Sequence, residues 1–206
     1  MRSALRVGIA IFNLGEYHAA HDAWEDQWLK LEADTPDERF LHGLIQYTAA
    51  VHHAANRNWV GTAGLATSAV EYLEYLDDQY AGVNLDPVRT ILYELGQDPE
   101  WIERRELELI EFDGEPIDHL ELSLEEIALA ARIIATEYGY DPSVVSRATR
   151  FAQADIEEER STTPFIPLLY DFVDPESNRV VVFHRLRQHA DRRADREADV
   201  EGLFDC

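Results

Sequence analysis

The sequence predicts an all-α protein: an N-terminal antiparallel four-helix bundle, then a mostly helical C-terminal half with one small β-hairpin. Three observations carry this. Apolar residues recur at helical spacing, as in Leu5, Ile9 and Phe12. Helix starts are written as capping sequences: Thr35-Pro36-Asp37-Glu38, Ser123 with Glu126, and Asp141-Pro142. The one hairpin signal is "LELIEFDGEPIDHLEL", where Asp113-Gly114 suits the positive φ angles of a tight turn.

In order, Ser3 is placed to cap the first helix, and Gly15 stops it. Glu16 falls in the first turn of a second helix, running to about Glu32, where negative charge suits the dipole. Thr35 caps the third helix, Pro36 takes its first position, and Glu38 completes a capping box. That helix reaches about Ala55. Asn58 caps a fourth, with Leu65, Ala69, Tyr72 and Leu76 as its apolar stripe. "YAGVNLDP", residues 80–87, reads as a boundary between a bundle over 1–80 and a helical extension over 87–206 packed on it. Two short helices follow, near 87–95 and 99–106. Pro116 confines the second hairpin strand to an edge. Gly139 closes the helix begun at Ser123, and Asp141-Pro142 starts one through about Glu159. Thr163-Pro164 and Ser177 open the last two. The end, "READVEGLFDC", reads as mobile, with Leu203 and Phe204 able to dock.

Composition limits the function classes. Hydrophobic residues make up 46% of the 206, enough for a sizeable core and unlike a disordered chain. No apolar run approaches the ~20 residues of a membrane span. The N-terminal stretch lacks a small-residue cleavage site and reads as a helix rather than a signal peptide. The single cysteine, Cys206, excludes an intrachain disulfide and a Cys-based zinc site. A cytoplasmic location follows. Forty-one acidic residues against eighteen basic ones give a formal charge of −23, and Lys30 is the only lysine. Such self-repulsion is tolerable where salt screens it, to about 3 Å at 1 M, so the chain reads as a protein of an extreme halophile. The charge also opposes nucleic-acid binding.

The polar helix faces carry the candidate site. At 100° per residue, His21, Glu25 and Trp28 share one face of the second helix. His42, Gln46, Ala49 and His53 share one face of the third. Antiparallel packing would bring His21, Glu25, Gln46 and His53 into one buried polar cluster. Two readings follow. In one, these groups hydrogen-bond each other and fix helix register. In the other, His21, Glu25 and His53 bind a divalent metal such as zinc, iron or manganese, with Gln46 beside it. The structural reading leads, because two histidines and a carboxylate at this spacing lack a fuller motif. His-Glu-x-x-His, Gly-x-Ser-x-Gly, a phosphate loop and a dinucleotide fingerprint are all missing. Asn13, beside a helix end, reads as a cap or turn residue before a ligand contact.

"FNLGEYHAAHDAWEDQW" followed by "FLHGLIQYTAAVHHAANRN" resembles the family named domain of unknown function 309 over about residues 10–78. The residues that carry it are Phe12, Asn13, Gly15, Tyr17, Ala20, His21, Glu25 and Trp28, then Gly43, Leu44, Ile45, Gln46, Ala49, Ala50 and His53. The resemblance implies a small helical bundle and no established activity, here as a haloarchaeal member with a C-terminal extension. Ala19 stands where the family commonly has Glu, and Asp22 where Glu is usual. His18, His42 and His52 replace an aromatic, a Gln and a Tyr, and so read as incidental.

The leading expectation is therefore a non-catalytic binding or scaffold protein; a metal-dependent hydrolase using His21, Glu25 and His53 is the alternative. "RVVVFHRLRQHADRRADRE" gathers six of the seventeen arginines. It reads as pairing with the protein's own acidic surface or with a partner subunit, which makes a homodimer through the C-terminal helices an expectation.

Overall fold

The computed structural model describes residues 1–160 and 162–201. Leu203 and Phe204, in the end read as mobile though able to dock, lie outside the described residues. The elements in order are α1 (Arg2–Asn13), α2 (Tyr17–Trp28), α3 (Pro36–Ala55), α4 (Trp59–Leu73), β1 (Gln79–Tyr80), β2 (Val83–Asn84) and α5 (Leu85–Gln97). β3 (Glu111–Phe112), β4 (Glu115–Pro116), α6 (Leu124–Glu137), α7 (Pro142–Glu157), α8 (Phe165–Val173) and α9 (Arg179–Glu201) complete them. The all-α class holds. No helix among the described residues is long and apolar enough to cross a membrane.

The chain forms two compact units, Met1–Glu121 and a second from Leu122 onward. The boundary expected at 80–87 falls inside the first unit. Its turn residues are real, but they make a β-hairpin whose second strand leads directly into α5, and α5 packs on α4. Ala81 and Gly82 both take positive φ (51° and 90°) between β1 and β2. Alanine gives no turn signal there, so this hairpin is absent from the sequence reading. The expected hairpin forms with Asp113 and Gly114 at φ 54° and 89°. Together the two make one antiparallel sheet in the order β1-β2-β3-β4, with Pro116 on its edge strand as predicted.

Packing in the first unit is sequential: α1 on α2, α2 on α3, α3 on α4, α4 on α5. The first four helices pack as sequential neighbours, as expected, and α5 continues the packing beyond α4. The α1 stripe of Leu5, Ile9 and Phe12 is buried, as read. On α4 the buried positions are Thr62, Ala66, Ala69 and Leu73, leaving Leu65 and Tyr72 half-buried. The face is rotated because Leu73 packs where Gly43 of α3 admits it; a β-carbon on Gly43 would meet Leu73 at 2.5 Å.

Two capping expectations change. α1 begins at Arg2 with no side-chain cap, so Ser3 is inside the helix. α2 starts after Glu16 and ends at Trp28, short of Glu32. Thr35 does cap α3, accepting from Glu38 N–H at 3.3 Å. The Glu38 carboxylate, however, turns to Trp28 and His42 instead of closing the box.

In the second unit the capping box of Ser123 and Glu126 forms in both directions. Gly139 takes φ 70° after α6, and Asp141 caps α7. The core joins Phe151 and Phe165, and Tyr140, Phe172 and Phe183. Several of the arginines of α9 pair within this unit. Arg193 reaches Asp155 (3.4 Å), Glu158 (3.9 Å) and Glu197 (3.1 Å), and Arg187 and Arg147 both reach Asp191. Asp155 is buried, and Arg160 flanks it as well.

Candidate functional site

α2 buries Ala19, Ala20, Ala23 and Trp24. Small residues on that side let α2 approach its neighbours closely, and Trp24 donates from Nε1 to the Leu5 carbonyl at 3.3 Å. The opposite side presents His18, His21, Glu25 and Trp28 along the seam with α3. Two ring contacts fix the α2–α3 register. Trp28 meets His42 with centroids 4.5 Å apart, and His18 meets His52 at 5.0 Å. Ten residues back along α2 is ten forward along α3, so the helices run antiparallel, as expected. His21 then stands level with Ala49, and Gln46 level with the turn between His21 and Glu25.

The predicted cluster of four does not form as one buried network. His21 is half-buried and Glu25 exposed. His21 Nδ1 lies 3.1 Å from the His18 carbonyl oxygen, which only accepts, so Nδ1 carries the proton. In the neutral ring Nε2 is then a lone pair. It faces Asp22 Oδ1 at 3.3 Å and Glu25 Oε2 at 3.9 Å. One ligand atom from each of His21, Asp22 and Glu25 lies within 4.8 Å of the others. This is the one such group of three or more among the described residues.

His53 is elsewhere. Asn58 Nδ2 donates to its Nδ1 at 2.6 Å, while Asn58 Oδ1 caps Gly61 N–H. A β-carbon on Gly61 would meet His53 Nδ1 at 2.5 Å. His53 thus braces the start of α4, so the structure does not bring together the expected set of His21, Glu25 and His53; the residue that joins His21 and Glu25 is Asp22. Asp22 follows His21 directly; attention to i, i+4 spacing alone passed it over.

Gln46 belongs to a second network. Trp28 Nε1 donates to Glu38 Oε1 at 2.7 Å, His42 Nδ1 lies 3.3 Å from the same oxygen, and Gln46 Nε2 lies 3.1 Å from His42 Nε2. The His42 ring is held between Trp28 and Tyr72, stacked on the latter at 3.9 Å. His42 is not incidental. It sits four residues after Glu38, the same spacing that singled out His21 and Glu25. Gln46 Oε1 is buried with no hydrogen-bond partner among the described residues. His18 and His52 likewise form a ring row with His21 and His53, with centroids 5.0 to 6.1 Å apart.

Asn13 does not cap α1, whose cap residue is Leu14. Asn13 Oδ1 accepts from Ile110 N–H at 2.9 Å, and its Nδ2 donates to the carbonyls of Ile110 (3.1 Å) and Ile117 (3.3 Å). It clamps the two sides of the β3–β4 hairpin to the end of α1. Beside it, Phe12 packs on Tyr17 and Tyr47, each with centroids 5.1 Å apart. Burial raises the Tyr17 phenol pKa. It raises that of Tyr47 much further, with Tyr17 and Glu108 adding to the effect. Tyr47 lines a cavity of about 30 Å³ with Asn84, Ile91, Glu108 and Ile110.

No curated protein matches the chain. Residues 5–65 match the model of a family described as "Domain of unknown function (DUF309)", a span that covers most of α1, then α2, α3 and the start of α4, and so both polar networks.

Proposed function

We propose a cytoplasmic, salt-adapted, non-catalytic binding protein in which His21, Asp22 and Glu25 hold a divalent cation. One observation carries the reading. The His18 carbonyl sets the His21 tautomer so that the Nε2 lone pair and two carboxylates converge. Three negative or lone-pair atoms facing each other are stabilised by a cation between them. Metal-ligating histidines commonly donate their other ring N–H to a backbone carbonyl, as His21 does. One imidazole and two carboxylates suit zinc, manganese or iron(II) and leave coordination positions open. Binding is favoured over catalysis because the group is open to water: Glu25 is exposed, so little desolvation would assist a reaction.

Protein purified without a metal-affinity tag is titrated with Mn²⁺ or Zn²⁺ in molar KCl by calorimetry. One ion should bind, and His21→Ala should abolish the signal while circular dichroism is unchanged. Binding that survives His21→Ala, or none in the wild type, overturns the reading. Metal-dependent turnover lost with binding in His21→Ala would replace binding alone by the hydrolase alternative.

A further inference from the structure

We propose that the cavity beside Tyr47 is a binding site for one ordered water molecule, which accepts a hydrogen bond from the Tyr47 hydroxyl. The hydroxyl leads there. Tyr47 lies on α3 and is 0% exposed, and its oxygen is buried with no hydrogen-bond partner among the described residues. The ring packs on Phe12 with centroids 5.1 Å apart, which holds it in the core. Turning about the C–O bond re-aims the proton but does not move the oxygen. A buried O–H that stays unmatched costs stability, so the group needs a partner within reach of where it stands.

The cavity that Tyr47 lines has room for that partner. Its volume of about 30 Å³ exceeds the ~10–15 Å³ that one water occupies and is about a tenth of the ~300 Å³ at which small-molecule pockets begin. Val88, Ile91 and Ile110 give it buried apolar walls. Asn84 and Glu108 line it as well, whereas cavities that stay dry are apolar throughout. The Glu108 charge helps to raise the Tyr47 phenol pKa, so it stands near the hydroxyl without bonding it directly. It offers an acceptor for the water's own protons. Glu108 and Leu109 are exposed, which lets water in from the surface. Such a water ties the middle of α3 to the segment that enters β3, the hairpin Asn13 clamps to α1.

A high-resolution crystal structure of the full chain and a thermal melt of Tyr47→Phe test this. Ordered water density should stand about 2.8 Å from Tyr47 Oη. Tyr47→Phe should lower the melting temperature by about 2–4 °C, the shift expected for one lost hydrogen bond in a chain of this size. A melting temperature that is unchanged or higher in Tyr47→Phe marks the hydroxyl as unpartnered, since the variant then sheds only a buried polar group, and overturns the inference. So does a wild-type cavity with no density within reach of Oη, or a hydroxyl bonded directly to a protein group. Should Tyr47→Phe fail to fold, the wild-type density decides alone.

Discussion

Asn13→Ala should cost far more than a half-buried polar residue ordinarily does. The side chain makes three hydrogen bonds to backbone 97 and 104 residues away, at 2.9, 3.1 and 3.3 Å. Ile110 and Ile117 are both buried, 3% and 4% exposed, so the groups left behind reach water poorly. Each net hydrogen bond contributes about 0.5–1.5 kcal/mol, and a stranded buried group costs about 1–3 kcal/mol. Taking the middle of the first range for three bonds gives about 3 kcal/mol of lost stability. Urea unfolding in molar KCl measures it. Amide hydrogen exchange supplies the residue-level check, because Ile110 N–H loses its acceptor in Asn13→Ala and should exchange faster. Asn13→Asp keeps that acceptor but sets a carboxylate against two carbonyl oxygens. It should be at least as destabilising as Ala and yet keep the Ile110 amide better protected. A loss under about 0.5 kcal/mol in Asn13→Ala, with Ile110 exchange unchanged, would refute the clamp.

Three further outcomes are expected. A β-carbon on Gly8 would sit 2.2 Å from Trp24 Nε1, so Gly8→Ala should destabilise by about 1–3 kcal/mol despite its better helix propensity, with a shift in tryptophan fluorescence; an unchanged melting temperature would contradict that packing. The Tyr80 phenol is pushed up to about 12, first by burial and then by its hydrogen bond to Asp37. An unfolded tyrosine titrates near 10, so the stability Tyr80 contributes is complete below about pH 10 and is lost as pH rises toward 12; Tyr80→Phe should flatten that alkaline fall, measured by thermal unfolding from pH 8 to 11.5. With a formal charge of −23, the melting temperature should rise from low to molar KCl, and a flat profile would remove the halophile reading.

Local signals carried the helices. Thr35, Asn58, Ser123 and Asp141 each cap where the sequence places them, because capping needs only neighbouring residues. Asp113-Gly114 was legible as a turn for the same reason. What was not legible depends on partners far away in sequence. The hairpin through Ala81 is stabilised by pairing of Val83 with Phe112, which no short window contains. Asn13 looked like a cap because its acceptors lie near residues 110 and 117. Glu38 fitted a capping box by spacing, yet a half-buried indole N–H and an imidazole competed for its carboxylate and won. His53 fell on the right helical face, but the Asn58 cap and the close approach of Gly61 drew it to α4.

The two polar networks differ in a way that separates structure from site. Around His42 nearly every donor and acceptor is matched, and two aromatic rings lock the geometry, as expected of groups that fix helix register. Around His21 two carboxylates meet a ring nitrogen whose proton is held on the other side: Asp22 Oδ1 and Glu25 Oε2 lie 3.3 and 3.9 Å from Nε2. His21 is half-buried and Glu25 exposed, so these atoms are open to water and to a cation from it. Asp22→Asn takes away one of the two carboxylates and should weaken Mn²⁺ binding in calorimetry, because a hard divalent ion holds a neutral amide oxygen less tightly than a carboxylate. Wild-type Mn²⁺ affinity in Asp22→Asn would remove Asp22 from the site and leave it a residue of the helix surface.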